Sequence, residues 1–136
     1  MAGGQTGVGR VPWKYDPGER RKKHKWHNDY AGFEVEGGVE VGKCPTTITQ
    51  ELAEQLLNTG IGWNNPSMPQ SEGPRNIYNV HEGVVYKAAI TLPGVSYHGY
   101  PCKGQVPREV VAQLKALAAQ KNCSKELETW LKRYIQ

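Results

Sequence analysis

Hydrophobic residues recur at every second position in two parts of the chain. The first part is FEVEGGVEVGK, residues 33–43, where valines and glutamates alternate on both sides of Gly37-Gly38. Period-two alternation around a two-glycine turn is typical of a β-hairpin. We expect one acidic face on this hairpin and one apolar face, which carries Phe33, Val35, Val39 and Val41.

A second hairpin is predicted in NIYNVHEGVVYKAAIT, residues 76–91. Its strands are expected near 76–80 and 84–91, joined by a turn at Glu82-Gly83. Within the second strand, alternation places Lys87 on the face of the small residues Ala89 and Thr91. The opposite face of that strand is expected to carry Val84, Tyr86, Ala88 and Ile90.

Three further segments have hydrophobic residues at the spacing of an amphipathic helix. Capping and breaking residues bound them: Thr47 or Thr49 and then Gly60 for the first, Pro107 and then Asn122-Cys123 for the second, and Ser124 for the third. The order of elements predicts an α+β fold, with a small, mostly antiparallel sheet of two hairpins packed by about three helices. One domain is expected over 32–136, preceded by an N-terminal arm over 1–31.

Charge sets this arm apart from the rest of the 136-residue chain. The formal net charge is +4, and all of it belongs to the first 31 residues, because the remainder is balanced. We expect a basic, partly disordered arm, part of which docks on the domain through Trp13 or Trp26. RNA or another polyanion is the expected partner; an acidic protein partner or a merely solvated charge run remain alternatives. The residues predicted to bind nucleic acid are Arg20, Arg21, Lys22, Lys23, Lys25 and Trp26.

The stretch VSYHGYPCKG, residues 95–104, combines several polar and aromatic side chains between glycines. It is predicted to be a loop, either part of an active site or only a decorated turn. Another long loop is predicted over 61–75, with Trp63 pinning it to the core.

Cleavage of RNA without a metal needs a general base, a general acid and a cation that stabilises the phosphorane. His81 lies at the predicted hairpin turn, His98 lies in the loop after that hairpin, and Lys87 lies on the strand between them. The two histidines would share the acid and base roles, and Lys87 would stabilise charge. Tyr97 or Tyr100 would stack on a base or donate a hydrogen bond. The alternative is that both histidines are ordinary surface residues of turns.

No metal site and no cofactor are expected. His24 and His27 form an H-x-x-H pair, but the neighbouring lysines repel a cation, and the three cysteines are widely dispersed. Cys102, four residues after His98 and next to Lys103, gives a further alternative, a cysteine nucleophile whose pKa is lowered.

In its short length, basic charge and Ser-Tyr-His-Gly-Tyr stretch, the chain resembles small bacterial toxin or toxin-associated domains. The resemblance is one of general character and assigns no role to a residue. The leading hypothesis is a small nucleic-acid-acting domain, a metal-independent ribonuclease of bacterial toxin type. The alternative is a non-enzymatic interaction module: an inhibitor, an adaptor or an immunity-like protein that uses the arm and the 61–75 loop.

No apolar targeting segment or membrane-length run is found, so no membrane partner is expected. The chain is expected in the cytoplasm, and export without a cleaved signal peptide stays open.

Overall fold

The computed structural model describes residues 12–16, 27–64 and 73–135. Within these ranges the chain forms three helices and seven strands, which confirms the predicted α+β class. The helices are α1 (Gln50–Asn58), α2 (Arg108–Gln120) and α3 (Ser124–Tyr134). The strands are β1 (Lys14–Tyr15), β2 (Gly32–Glu36), β3 (Val39–Lys43), β4 (Ile61–Trp63), β5 (Asn76–His81), β6 (Val84–Leu92) and β7 (Ser96–Pro101).

Five of the strands form one sheet in the order β1-β7-β6-β5-β4, and β2 and β3 form a separate hairpin. Every pairing between described strands is antiparallel except that of β1 with β7, which is parallel. The sheet is therefore mostly antiparallel, as predicted, but it is extended by a strand from the N-terminal arm.

The turn at Glu82-Gly83 is confirmed, and it fixes the register of β5 and β6. Both turn residues have positive φ, 51° and 82°, as a two-residue hairpin turn requires. His81 consequently lies opposite Val84. The turn is also packed on α3, because a Cβ at Gly83 would fall 2.2 Å from Cβ of Glu126.

The predicted apolar face of the β2–β3 hairpin is wrong. Val35 lies opposite Glu40, and Val39 lies opposite Glu36, so each face carries both kinds of side chain. A two-residue turn makes odd-numbered residues of one strand pair with even-numbered residues of the other, so Phe33 and Val35 cannot share a face with Val39. Val35 and Val39 are 68% and 63% exposed.

Helices cover the sheet from both sides. On the first side, which we call the α1 face, Leu57 of α1 packs against Ile77, Ala88 and Tyr97 of the sheet. The second side, the α2–α3 face, packs Tyr78, Val80 and Val85 against Val110, Leu114, Leu127 and Trp130. This second layer is concentrated at the end of the sheet next to the β5–β6 turn.

Two predicted loops contain strands. The 61–75 segment begins with β4, and the 95–104 segment contains β7. Neither segment shows a period-two hydrophobic pattern. Both form strands nevertheless, because β4 pairs with β5 and β7 pairs with β6. The N-terminal arm contributes β1, and its Trp13 packs against Tyr97 as an anchor, as expected.

The predicted helices are found where the pattern placed them. Thr49 caps α1, since its Oγ1 accepts a hydrogen bond from the backbone N–H of Leu52 at 3.1 Å. The cap expected from Ser124 is wrong: α3 already includes Ser124, and Cys123 stands at the cap position without a side-chain hydrogen bond. In the described part of the chain, none of the helices has the length and apolarity that crossing a bilayer demands.

Candidate functional site

Half of the α2–α3 face is left partly exposed. The row nearest the β5–β6 turn, with Val80, Val85 and Cys102, is buried beneath the helices. The register places two further rows beyond it on the same face. We call their half-buried side chains the open face; they are Ile61, Trp63, Asn76, Lys87, Ala89, His98 and Tyr100.

Lys87 and Tyr100 form the centre of the open face. They are directly paired across β6 and β7, and Nζ of Lys87 lies 5.8 Å from the ring centroid of Tyr78. This arrangement holds the ammonium over aromatic surface. Burial raises the pKa of Tyr100, and burial raises the pKa of Tyr78 to about 12, so both phenols stay neutral at physiological pH.

His98 extends this group toward the end of the sheet. Its Nδ1 lies 2.8 Å from Oγ1 of Thr91, and its ring stacks beside Tyr100 with centroids 6.3 Å apart and an interplanar angle of 30°. His98 is the diagonal neighbour of Lys87 across β6 and β7. The Cβ atoms of diagonal neighbours in an antiparallel pair are generally about 7 Å apart. The imidazole is thus positioned by a hydroxyl and by an aromatic ring.

A second lysine borders the open face. Lys14 pairs with Ser96 in β1–β7, which puts it on the side of the sheet that His98 occupies. The predicted nucleic-acid-binding residues follow β1 in the sequence, but they lie outside the described residues: Arg20, Arg21, Lys22, Lys23, Lys25 and Trp26.

The predicted pair of catalytic histidines is not brought together. His81 lies opposite Val84 at the end of β5, and strand alternation directs it to the side of the sheet opposite to Lys87 and His98, which belong to the α2–α3 face. Along the strands, the register separates His81 from Lys87 by three residues, or about 10 Å. His81 instead lines a surface groove with Glu82, Lys121, Asn122, Cys123 and Glu126.

Tyr97 also lies away from the open face. It has no exposed surface, and its hydroxyl donates a hydrogen bond to the backbone carbonyl of Pro74. Its ring belongs to the core of the α1 face. Of the predicted catalytic set, the structure therefore brings only Lys87 and His98 to a common surface, because neighbouring residues of a strand point to opposite sides.

Cys102 lacks the environment of a nucleophile. Its side chain is buried, and burial raises the pKa of the thiol to about 11, while nearby Lys87 opposes that rise. The expected lowering of this pKa is therefore wrong. All three cysteines lie in described ranges, where they are buried and form no disulfide.

Metal-ligating side chains are not clustered in the described ranges. No group of three or more His, Cys, Asp or Glu residues there is arranged to hold a metal ion. His24 of the H-x-x-H pair lies outside the described residues, and His27 is exposed.

The sequence interpretation missed part of the open face. Asn76 and Trp63 share it with Lys87 through the register of β4, β5 and β6, and the buried Tyr78 lies on the same side of the sheet. For Asn76 and Tyr78, the two-residue turn at Glu82-Gly83 was a sufficient signal, because it pairs even-numbered residues of β5 with odd-numbered residues of β6. Trp63 had no comparable signal, since its strand was not predicted.

Comparisons with known proteins provide no role to transfer to these residues. No protein-family model, no curated protein and no solved structure matches the chain.

Proposed function

We propose that this protein binds single-stranded nucleic acid, with RNA as the expected ligand, on the open face. The observation that supports the proposal is the placement of Lys87 beside Tyr100 and His98 on a sheet surface that the helices leave half exposed. A lysine contacts phosphate, and aromatic rings stack on unpaired bases. A sheet surface bearing both groups matches the chemistry of single-stranded nucleic acid.

The orientation of the two rings supports stacking. The rings of His98 and Tyr100 are nearly parallel, with an interplanar angle of 30°. Together they present an aromatic surface that extends over about two residues along β7. Asn76 adds an amide in the row of His98, and its Nδ2 donates to the backbone carbonyl of Ala88 at 3.3 Å. Its side-chain oxygen is an acceptor of the kind that binds base edges.

Charge supports the same surface. Lys14 and Lys87 both belong to this side of the sheet, and Lys14 lies at its edge. The strongly basic segment that contains Arg20 to Lys25 begins only a few residues after Lys14 in the sequence. Cations tethered beside an aromatic surface strengthen binding by neutralising phosphates and releasing counterions.

Ribonuclease activity, a toxin role and a cytoplasmic location remain predictions from the sequence. Because His81 and Tyr97 lie elsewhere, cleavage at the open face would depend on His98 as the proton-transfer group and on Lys87 as the cation. A denaturing gel of the RNA recovered from each binding sample tests for cleavage.

The interaction module remains the second candidate, and the β2–β3 hairpin favours it. Val35 and Val39 are exposed on opposite faces of this hairpin, and the neighbouring Glu34, Glu36 and Glu40 form ion pairs with Lys43 and Lys103. The hairpin therefore presents an exposed valine on each face beside charged side chains. A partner protein that binds this hairpin in the absence of any nucleic-acid binding would support that function instead.

The test is fluorescence anisotropy with labelled single-stranded RNA at two salt concentrations. Lys87→Gln should weaken binding by roughly five- to tenfold and reduce the salt dependence, as expected for the loss of one phosphate contact. Lys125→Gln, an exposed lysine on α3, is the control that removes the same charge elsewhere. Tyr100→Leu should weaken binding by about tenfold through loss of stacking. Wild-type affinity in both Lys87→Gln and Tyr100→Leu would overturn the proposal.

A further inference from the structure

The N-terminal residues 13–16, which we call the strap, are held like a bound peptide between β7 and α1. Along one edge, the backbone N–H of Lys14 donates to the carbonyl of Val95 at 3.0 Å, and that of Asp16 donates to the carbonyl of Tyr97 at 2.7 Å. These bonds add the strap to the sheet as a short parallel strand.

The other edge of the strap is bound by side chains of α1. The amide of Asn58 accepts from the N–H of Trp13 at 2.9 Å and donates to the carbonyl of Trp13 at 3.1 Å. At Tyr15, the N–H donates to Oε2 of Glu54 at 3.1 Å, and the carbonyl accepts from Nε2 of Gln50 at 2.7 Å. Every backbone donor and acceptor of Trp13 and Tyr15 is therefore paired with α1.

The three α1 side chains are four residues apart along the helix. Gln50, Glu54 and Asn58 consequently lie in one row on its surface. The row presents donors and acceptors at the places where a neighbouring strand would present them. Together with the edge of β7, it makes a groove that binds an extended backbone from both sides.

Two aromatic side chains anchor the strap. The Trp13 ring packs edge-on against Tyr97, with centroids 5.4 Å apart, and a Cβ at Gly73 would fall 2.7 Å from that ring. Tyr15 covers a small apolar cavity of about 40 Å³ beneath α1. Lys14, between them, is exposed on the other side of the sheet. The groove therefore recognises an extended aromatic-x-aromatic segment.

We propose that this groove also binds the strap of a second copy of the chain, so that two copies exchange their straps. The mode of recognition is strand addition, which depends on backbone bonds and on alternate side-chain anchors. A second copy supplies the same three residues, and every contact described above forms identically in trans. Residues 17–26 connect the strap to the rest of the chain and reach at most about 35 Å. The groove lies on the α1 face and is separate from the open face.

The groove is tested with a fluorescein-labelled peptide of residues 11–17. The receptor is the full chain with Trp13→Ala and Tyr15→Ala, whose own strap is weakened while the groove is intact. We expect saturable binding that is at least about tenfold tighter than to the wild-type chain, in which the strap competes at high effective concentration. The same peptide with alanine at both aromatic positions should not bind.

Two results would overturn the docking site: no binding by a receptor that keeps the wild-type circular dichroism spectrum, or equal binding to the wild-type chain. If the double variant does not fold, Lys14→Pro replaces it, because proline removes the N–H that bonds Val95 and keeps both aromatic anchors in the core.

The source of the segment is tested by mixing two full-length variants. The strap-weakened chain keeps the groove, and an Asn58→Ala chain keeps the strap. Light scattering should detect a mixed dimer that neither variant forms alone. Peptide binding without a mixed dimer at any concentration would refute exchange between copies.

Discussion

His81 and Lys87 lie on opposite faces of the β5–β6 hairpin, although only five residues separate them in the sequence. The turn at Glu82-Gly83 pairs His81 with Val84, and alternation then directs Lys87 away from His81. The consequence is that one surface combines Lys87 with His98 and aromatic rings, while His81 belongs to a different groove.

This relationship predicts different effects for two histidine substitutions. His98→Ala should weaken RNA binding by about tenfold, because it removes a ring that stacks beside Tyr100 on the open face. His81→Ala should leave the affinity unchanged. Anisotropy with the same labelled RNA measures both, and equal losses would show that the binding surface is not confined to the open face.

The strap predicts a specific loss of stability. Asn58→Ala removes both side-chain bonds to the Trp13 backbone, and the free energy of unfolding should fall by about 1–3 kcal/mol. Gln55→Ala on the exposed side of α1 is the control and should change it by less than about 0.5 kcal/mol. Urea unfolding followed by tryptophan fluorescence measures both. Equal effects would mean that the strap adds nothing to stability.

The turn glycines form a matched pair. Gly38 and Gly83 have nearly the same φ, 81° and 82°, but a Cβ at Gly38 meets open space and one at Gly83 meets Glu126. Gly38→Ala should therefore cost only the strain of the left-handed backbone, about 1–2 kcal/mol. Gly83→Ala should cost about 1–3 kcal/mol more, because the turn must move away from α3. Urea unfolding decides, and equal costs would contradict the contact between turn and helix.

The raised pKa of the Cys102 thiol predicts that the protein loses stability in alkaline solution. Burial raises the pKa of this thiol from 9.0 to about 11, so the unfolded chain loses this proton at a lower pH than the folded chain does. This difference in pKa contributes on the order of 2 kcal/mol to the free energy of unfolding. The contribution is fully present below pH 9 and disappears as the pH rises through 11. The difference in unfolding free energy between wild type and Cys102→Ala should shrink accordingly between pH 8 and pH 11. A constant difference would argue against the raised pKa.

Much of the fold follows from local signals that the sequence contains. Thr49 caps α1, Glu82-Gly83 makes the predicted turn, and the helical spacing of hydrophobic residues locates α2 and α3. Period-two alternation predicts both hairpins, but the single apolar face that it predicts for β2–β3 is wrong. The parity that a two-residue turn imposes between its strands would have corrected that assignment and would also have separated His81 from Lys87.

The strands β7 and β1 had no local signal. β7 contains Gly99 and ends at Pro101, and its hydrophobic and polar residues do not alternate. Its conformation is set by pairing with β6. β1 has two residues and depends on contacts with β7 and with side chains of α1, which are distant in the sequence. Such non-local contacts decide structure where propensity is weak.

The most direct test of nucleic-acid binding at the open face is an amide NMR titration of the labelled protein with single-stranded RNA. We expect the largest shifts at Lys87, His98 and Tyr100, with the amide of His81 unaffected. The absence of shifts at saturating RNA, or shifts confined to the α1 face, would contradict the proposed function.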